Sequence, residues 1–271
     1  MSDVPAAFAV SEAVAVALHG QADTTVEHLR VAWDYGHAWV ALDAADRVVG
    51  YATLEDGYVE VWPHPAAGAE VADALLDAVS RRGGALETIV PAAAAALVAL
   101  YRGRGWVQTR EVLRMEIGVS DRPQAAVWPP AVRVRTYHDD DARDVHALLE
   151  AAFQGNAEEV PPFARWHPWM TNDPSFDAGV WFLAEAAELL AGVCLCWREG
   201  WVKDLAVAPS FRGHGVGEAL LRHALTVFHD RGLATVGLKV DADNPTGAVR
   251  LYERVGMARD RTYLMFATTA A

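Results

Sequence analysis

Apolar and polar positions divide the chain into short blocks whose spacing alternates between strand and helix. Val202 to Ala208 is apolar with little polar interruption and stops at Pro209, which reads as a buried strand. From Glu218 the apolar residues recur at helical spacing, and Leu220, Leu221, Ala224, Leu225 and Phe228 fall on one side. Arg231-Gly232 closes that helix with a cation and a C-cap glycine. Thr235 to Val240 is the next strand.

Upstream, residues 4–20 read as one helix ending at Gly20, and residues 24–33 as a second. Trp39 to Leu42 and Val48 to Leu54 read as paired strands around the turn Asp43-Ala-Ala-Asp46. A strand over Tyr58 to Trp62 follows, then a helix from Ala69 to Arg82 closed by Gly83-Gly84. A short strand, Glu87 to Val90, precedes a helix from Pro91 to Arg102, and Val112 to Val119 completes this half. Arg122 to Ala131 carries three prolines and no period, as expected of a linker. Beyond it come a strand, Val132 to Arg135, and a helix, Asp139 to Phe153, with the acidic first turn that a helix dipole favours. Residues 154–180 show no period but carry Trp166, His167 and Trp169. Such a segment serves either as a lid or substrate wall, or as a surface loop with its tryptophans packed down. Strands at Val180 to Ala184 and Leu190 to Cys196 flank Glu185-Ala-Ala-Glu188.

A chain of 271 residues, over half of them hydrophobic, suggests two domains, each able to bury a core. The expected division is 1–121, a linker over 122–131, and 132–271. No apolar run approaches the ~18 residues of a membrane span. No charged-then-apolar leader opens the chain, so a cytoplasmic protein is expected. The net charge of −13 argues against nucleic acid as a main partner. It is uneven: −9 over residues 1–121 and −4 over residues 122–271. An anionic ligand is better tolerated in the second half. Cys194 and Cys196 are the only cysteines. On a strand they point the same way, but two thiolates alone make no metal site, so buried free thiols are expected.

Between the buried strand and its helix lies Arg212-Gly-His-Gly-Val-Gly217. Its glycines let consecutive N–H groups point into one concavity, the helix start adds unpaired amides and the positive end of its dipole, and Arg212 adds a forked cation. Together these make a seat for a diphosphate. The dinucleotide spacing G-x-G-x-x-G fails at Glu218, and no Gly-Lys-Ser/Thr follows for a P-loop. An ordinary glycine-rich turn is the remaining plain reading. The pattern Arg-x-x-Gly-x-Gly after Leu205-Ala-Val207 resembles the acetyl-CoA loop of the GNAT acetyltransferases.

A second motif, Asn244-Pro-Thr-Gly-Ala-Val-Arg-Leu-Tyr-Glu-Arg-Val-Gly256, supports the resemblance. Asn244 reads as a helix N-cap and Pro245 as the first helical residue, while Ala248, Leu251 and Tyr252 share a face. This is similar to the GNAT pattern Asn-x-x-x-Ala-x-x-x-Tyr followed by glycine and a bulky residue, here Met257. The resemblance covers Val132 to about Phe266. The first half looks like a worn copy. Leu100 to Val107 matches Leu251 to Ala258, and His64-Pro65 matches Ala208-Pro209. But Ala66 to Asp73 is one residue shorter than its counterpart, with a single glycine, no arginine, and acids where phosphates would sit. It is not expected to hold a diphosphate. A tandem pair with one degraded half is similar to the mycothiol synthases. The implied fold is α/β: two tandem GNAT-like domains, each a mixed, mostly antiparallel sheet flanked by helices.

The resemblance implies acetyl-CoA as cofactor and a small-molecule amine as acceptor; charge and hydropathy add the expectation of no nucleic-acid or membrane partner. It places the coenzyme along Leu205, Ala206, Val207, Arg212, Gly213, His214, Gly215, Val216, Gly217, Glu218, Asn244, Ala248 and Tyr252. Leu205 and Val207 would act through their backbone, on the strand that family members splay, and His214 through its N–H. Tyr252 stands where a proton donor to the leaving thiolate belongs; otherwise its ring is a core residue. A carboxylate is needed to take the amine's proton. The position that often carries it in the family, six residues before Val207, is Trp201. Strand alternation favours Glu199, whereas Asp204 needs a bulge to turn it inward. Either acid also reads as merely solvated or paired. The occupied acid position leaves a non-catalytic acyl-CoA sensor as the alternative function. Lys203 and Lys239 are the only lysines in an arginine-rich chain.

Overall fold

The computed structural model describes residues 3–20, 33, 36–155 and 160–268. The helix expected over 24–33 lies outside these apart from Trp33. The chain forms two compact units, residues 1–112 with 261–271, and residues 113–260.

The first unit begins with α1 (Val4–His19), whose apolar face seats Ala7 and Val10 against Tyr51 and which ends at Gly20 with φ 76°. Strands β1 (His37–Leu42), β2 (Val48–Glu55) and β3 (Tyr58–Pro63) form an antiparallel meander. Helix α2 (Ala69–Ser80) buries Leu75, Leu76 and Val79 beneath it. Strand β4 (Glu87–Pro91) follows. Helix α3 (Ala95–Gly103) starts four residues later than its sequence suggests, because Pro91 still belongs to β4. The unit also takes residues from the far end of the chain. In β11 (Ala258–Ala267), Tyr263 to Ala267 pair antiparallel with Pro91 to Glu87, and Phe266 enters the core beside Tyr101.

The unit boundary falls inside β5 (Val107–Gly118). Leu113 and Met115, on alternate positions, are buried in the second unit's core. Each unit therefore includes a segment from the other's half of the sequence, and the compact units cross the expected division at 122–131. The reason is strand pairing, which sequence periodicity does not report.

In the second unit the strand order is β5, β10 (Thr235–Asp241), β9 (Trp201–Val207), β8 (Leu189–Trp197), β7 (Trp181–Ala186), β6 (Val132–Thr136). One face is covered by α6 (Val216–Asp230) and α7 (Ala248–Val255), packed on Cys194, Cys196, Val202 and Leu238. The other is covered by α4 (Ala142–Phe153) and α5 (Phe163–Thr171), packed on Trp181, Leu183, Leu195 and Ala206. The acidic residues Asp139 to Asp141 form a short 3-10 turn before α4. Helix α5 lies in the stretch without a readable period. It contains Pro168 and alternates aromatic and polar residues, which hides its amphipathicity.

Candidate active site

Strand β9 is paired on both sides at its start and on one side only at its end. Toward β10 the parallel ladder runs through Trp201↔Gly237 and Val202↔Leu238 and stops. Toward β8 it continues to Gly192↔Val207, and the Ala208 amide donates to the Ala191 carbonyl. Antiparallel partners alternate in direction. With Ala208 bonded to β8, the amides of Leu205 and Val207 face the opposite side, toward the gap where β10 has departed. Their side chains pack toward α6 and α7, while Ala206 faces α4.

The loop after β9 enters α6 through Gly213 (φ 76°) and Gly215 (φ 83°), left-handed conformations that glycine adopts at little cost. A Cβ at either position would meet nothing within 4 Å, so the concavity is open. Gly217 is different: its Cβ would come within 3.3 Å of Val207, so its smallness lets the helix start sit close on β9. Among the described residues, none accepts from the N–H groups of Gly213, His214, Gly215, Val216, Gly217 or Glu218. Six consecutive donors at the positive end of a helix of 15 residues suit a diphosphate. With the free amides of β9 beside them, they fit a coenzyme whose arm runs along the strand.

The remaining expected residues fall around this seat. Arg212 is turned from the loop: its Nε donates to the Val207 carbonyl at 3.3 Å and its guanidinium to the Ala152 carbonyl at 2.9 Å. It anchors the loop rather than pointing into it. The Glu218 carboxylate is held by Arg222 at 2.9 Å and by Arg254 at 3.7 Å, leaving its amide for the seat. His214 is exposed. Asn244 does not cap a helix. Its Oδ1 accepts from the Thr246 amide at 3.0 Å and hydroxyl at 2.6 Å, and α7 starts only after Gly247, at Ala248.

Tyr252 faces the same core as Ala248 and Leu251. It is 7% exposed, and no described residue hydrogen-bonds its hydroxyl. Burial, reinforced by Cys194 and Asp204 nearby, pushes its pKa well above the usual phenol value, so the group stays protonated and able to donate. Cys194 and Cys196 are buried on one face with their sulfurs 3.6 Å apart. Burial and the neighbouring Cys194 push the Cys196 thiol up, so it is held neutral.

The two acids separate. Glu199 precedes β9, exposed on the turn that ends at Gly200, so strand alternation does not apply to it. Asp204 is opposite Leu195, while the next residue of β8, Cys196, is opposite Val202. Lys203 is thus the extra residue of a β-bulge, a feature that re-aims neighbouring side chains. Asp204 is 15% exposed and paired with Lys203 at 3.6 Å. Trp201 lies flat against Gly237, whose Cβ would come within 2.9 Å of its ring, and the Arg114 guanidinium stacks 5.4 Å from it. Trp169, one of the aromatic residues that the sequence offers as a substrate wall or as a packed-down surface residue, is an exposed residue of α5 whose ring lies 5.4 Å from the Lys203 ammonium. Its only signal was an aromatic run without a period.

The acetyltransferase (GNAT) family matches residues 142–257. A mycothiol acetyltransferase of Thermobispora bispora is 31% identical over 97% of this chain and 95% of its own, and one of Streptomyces avermitilis is 32% identical over 96% and 85%. Among solved structures, a GCN5-related N-acetyltransferase from Sphaerobacter thermophilus shares the fold with a TM-score of 0.81 at 24% identity, over 98% of this chain and 92% of that one. A tandem GNAT protein from the clavulanic acid biosynthesis pathway shares it with a TM-score of 0.72 at 17% identity, over 98% and 94%. The chain belongs to the GNAT family of acetyltransferases, and it is an N-acetyltransferase that takes its acetyl group from acetyl-CoA.

Proposed function

We propose that the C-terminal module transfers the acetyl group directly to a small-molecule amine. Acetyl-CoA, when bound, supplies a thioester carbonyl open to attack by a neutral amine. The amides from Gly213 to Glu218 hold the diphosphate, and those of Leu205 and Val207 hold the arm and stabilise charge on the carbonyl oxygen. Asp204, turned by the bulge, takes the proton lost by the amine; Tyr252 returns one to the departing sulfur. Glu199 is a weaker base candidate, since it lies on the turn before β9, whose span from Trp201 to Leu205 alone is about 13 Å. Direct transfer is supported by the neutral state of the buried thiol, since a thiol without thiolate character is a poor acyl acceptor.

The observation that carries this reading is the parting of β9 from β10 beside six unpaired amides, with the Tyr252 hydroxyl in the same core. The relatives' name makes the amine acetylated by mycothiol acetyltransferases the first acceptor to assay, alongside a panel of small amines. The test is release of free thiol from acetyl-CoA with identification of the acetylated product. Rates rising together with both substrates in a sequential pattern support direct transfer. Tight coenzyme binding with no turnover on any amine favours the sensor, and an acetylated cysteine overturns direct transfer.

A further inference from the structure

Trp169 is the most exposed tryptophan among the described residues, at 55%, and the other nine are buried or half-buried. One face of its ring is taken by the Lys203 ammonium. Lys203 is one of two lysines in the chain and occupies the bulge that turns Asp204. The Lys203 Nζ and Asp204 Oδ1 lie 3.6 Å apart, on residues two strand steps and one, about 7 and 3 Å, before Leu205. A cation, an anion and an aromatic wall thus stand together beside the point where the coenzyme's thioester belongs. Trp201, at the start of β9, is wedged between Gly237 and Arg114, and Asp204 is the only acid on the strand. Asp204 is therefore the carboxylate that β9 offers an incoming ammonium, and Lys203 is the charge beside it.

We propose that the acceptor is an α-amino acid with a large apolar side chain, read by Asp204, Lys203 and Trp169; this rests on the acetyltransferase reading above. An α-amino acid carries its ammonium and carboxylate on one carbon, a spacing comparable to that of the Lys203–Asp204 pair. Its ammonium meets Asp204 and its carboxylate meets Lys203, a charge-assisted contact stronger than a neutral one. Its side chain packs on Trp169. Asp204 takes one ammonium proton and passes it to water, the freed lone pair forms the N–C bond to the acetyl carbon, the C–S bond breaks, the sulfur receives its proton from Tyr252, and the second proton shed by the nitrogen restores the Tyr252 hydroxyl through solvent.

The experiment compares kcat/KM for L-tryptophan, L-phenylalanine and L-methionine with that for their decarboxylated amines and their amides, acetyl-CoA being saturating. A preference for the free carboxylate of ~10-fold or more is expected, the scale of one charge-assisted contact. K203M should bring that ratio toward one and K203R should keep it, a pattern that loss of fold does not produce. W169A should raise KM for the large amino acids more than for alanine. If the decarboxylated amines or the amides are used as well as the amino acids, this inference is overturned and the acetyltransferase reading stands. If nothing on either arm turns over while coenzyme binds, this inference is overturned, and the amine panel described above decides direct transfer separately.

Discussion

The guanidinium of Arg212 donates to the main-chain carbonyl of Ala152 at 2.9 Å, joining the coenzyme loop to the last turn of α4. A second donation, to Val207, fixes the same side chain to the end of β9. The arginine that sequence reasoning assigned to the phosphates thus holds three elements in register, and one fork reaching two carbonyls is work that lysine does poorly. Arg212→Ala is expected to lower the melting temperature by a few degrees, consistent with about 1 kcal/mol for the lost bonds. It should also raise KM for acetyl-CoA, with Arg212→Lys restoring neither fully. Thermal unfolding and coenzyme titration check both. A variant with unchanged stability and impaired coenzyme binding would return the side chain to the phosphates.

Tyr252→Phe separates a proton donor from a packed ring. The two side chains differ by one oxygen, and no described residue bonds that oxygen, so stability should hardly change. If the hydroxyl protonates the leaving sulfur, kcat falls by ~10²-fold or more while KM for acetyl-CoA moves little. The raised pKa also fixes the sign of a pH test. A group held protonated above the ordinary phenol range imposes no loss of kcat as pH rises from 7 to 9. An unchanged kcat in the variant would remove Tyr252 from the mechanism.

The open glycine loop before α6 was readable because it is local. Glycines between an apolar strand and a helical period favour left-handed turns, here at Gly213 and Gly215, and orphan amides at the helix start without reference to any other segment. The coenzyme arm's strand was readable as a strand, but its parting from β10 was not, nor was the bulge at Lys203, since both depend on partner strands. That is why alternation favoured Glu199 over Asp204. Asn244 failed for another reason. Its side chain has two local uses, capping a helix or closing a turn onto Thr246, and the left-handed Gly247 decides for the turn. The exchange of β5 and β11 segments between the units left no mark on the sequence period.

His223 makes stability depend on pH through α6. Its ring meets Phe182 edge-on at 4.8 Å and Trp128 at 6.0 Å, and burial lowers its pKa below the ordinary histidine value. A depressed folded pKa means the unfolded chain binds the proton first as pH falls. The contribution of His223 is therefore intact above pH ~6.5 and is lost as pH falls from there toward the folded value. Urea midpoints measured between pH 7.5 and 5.5 should decline, and His223→Gln should flatten that part of the decline. A steeper fall in the variant would contradict this assignment.

Acetyl-CoA should bind with a stoichiometry of about one per chain, because the first unit fills its own anion seat. At the head of α2 the Glu70 carboxylate folds back against Gly68, where the second unit has open glycines, so a protein anion already complements that helix end. The loop there also lacks the left-handed pair that Gly213 and Gly215 provide. Gly215→Ala places a side chain at φ 83°, a strain of about 1–2 kcal/mol, and should weaken coenzyme binding by ~10-fold. In calorimetry the wild type should show a single class of sites, and the variant should weaken all of the binding heat. A second class of sites that survives Gly215→Ala and disappears in a variant of residues 64–70 would place coenzyme in the first unit and overturn the assignment of the seat to α6 alone.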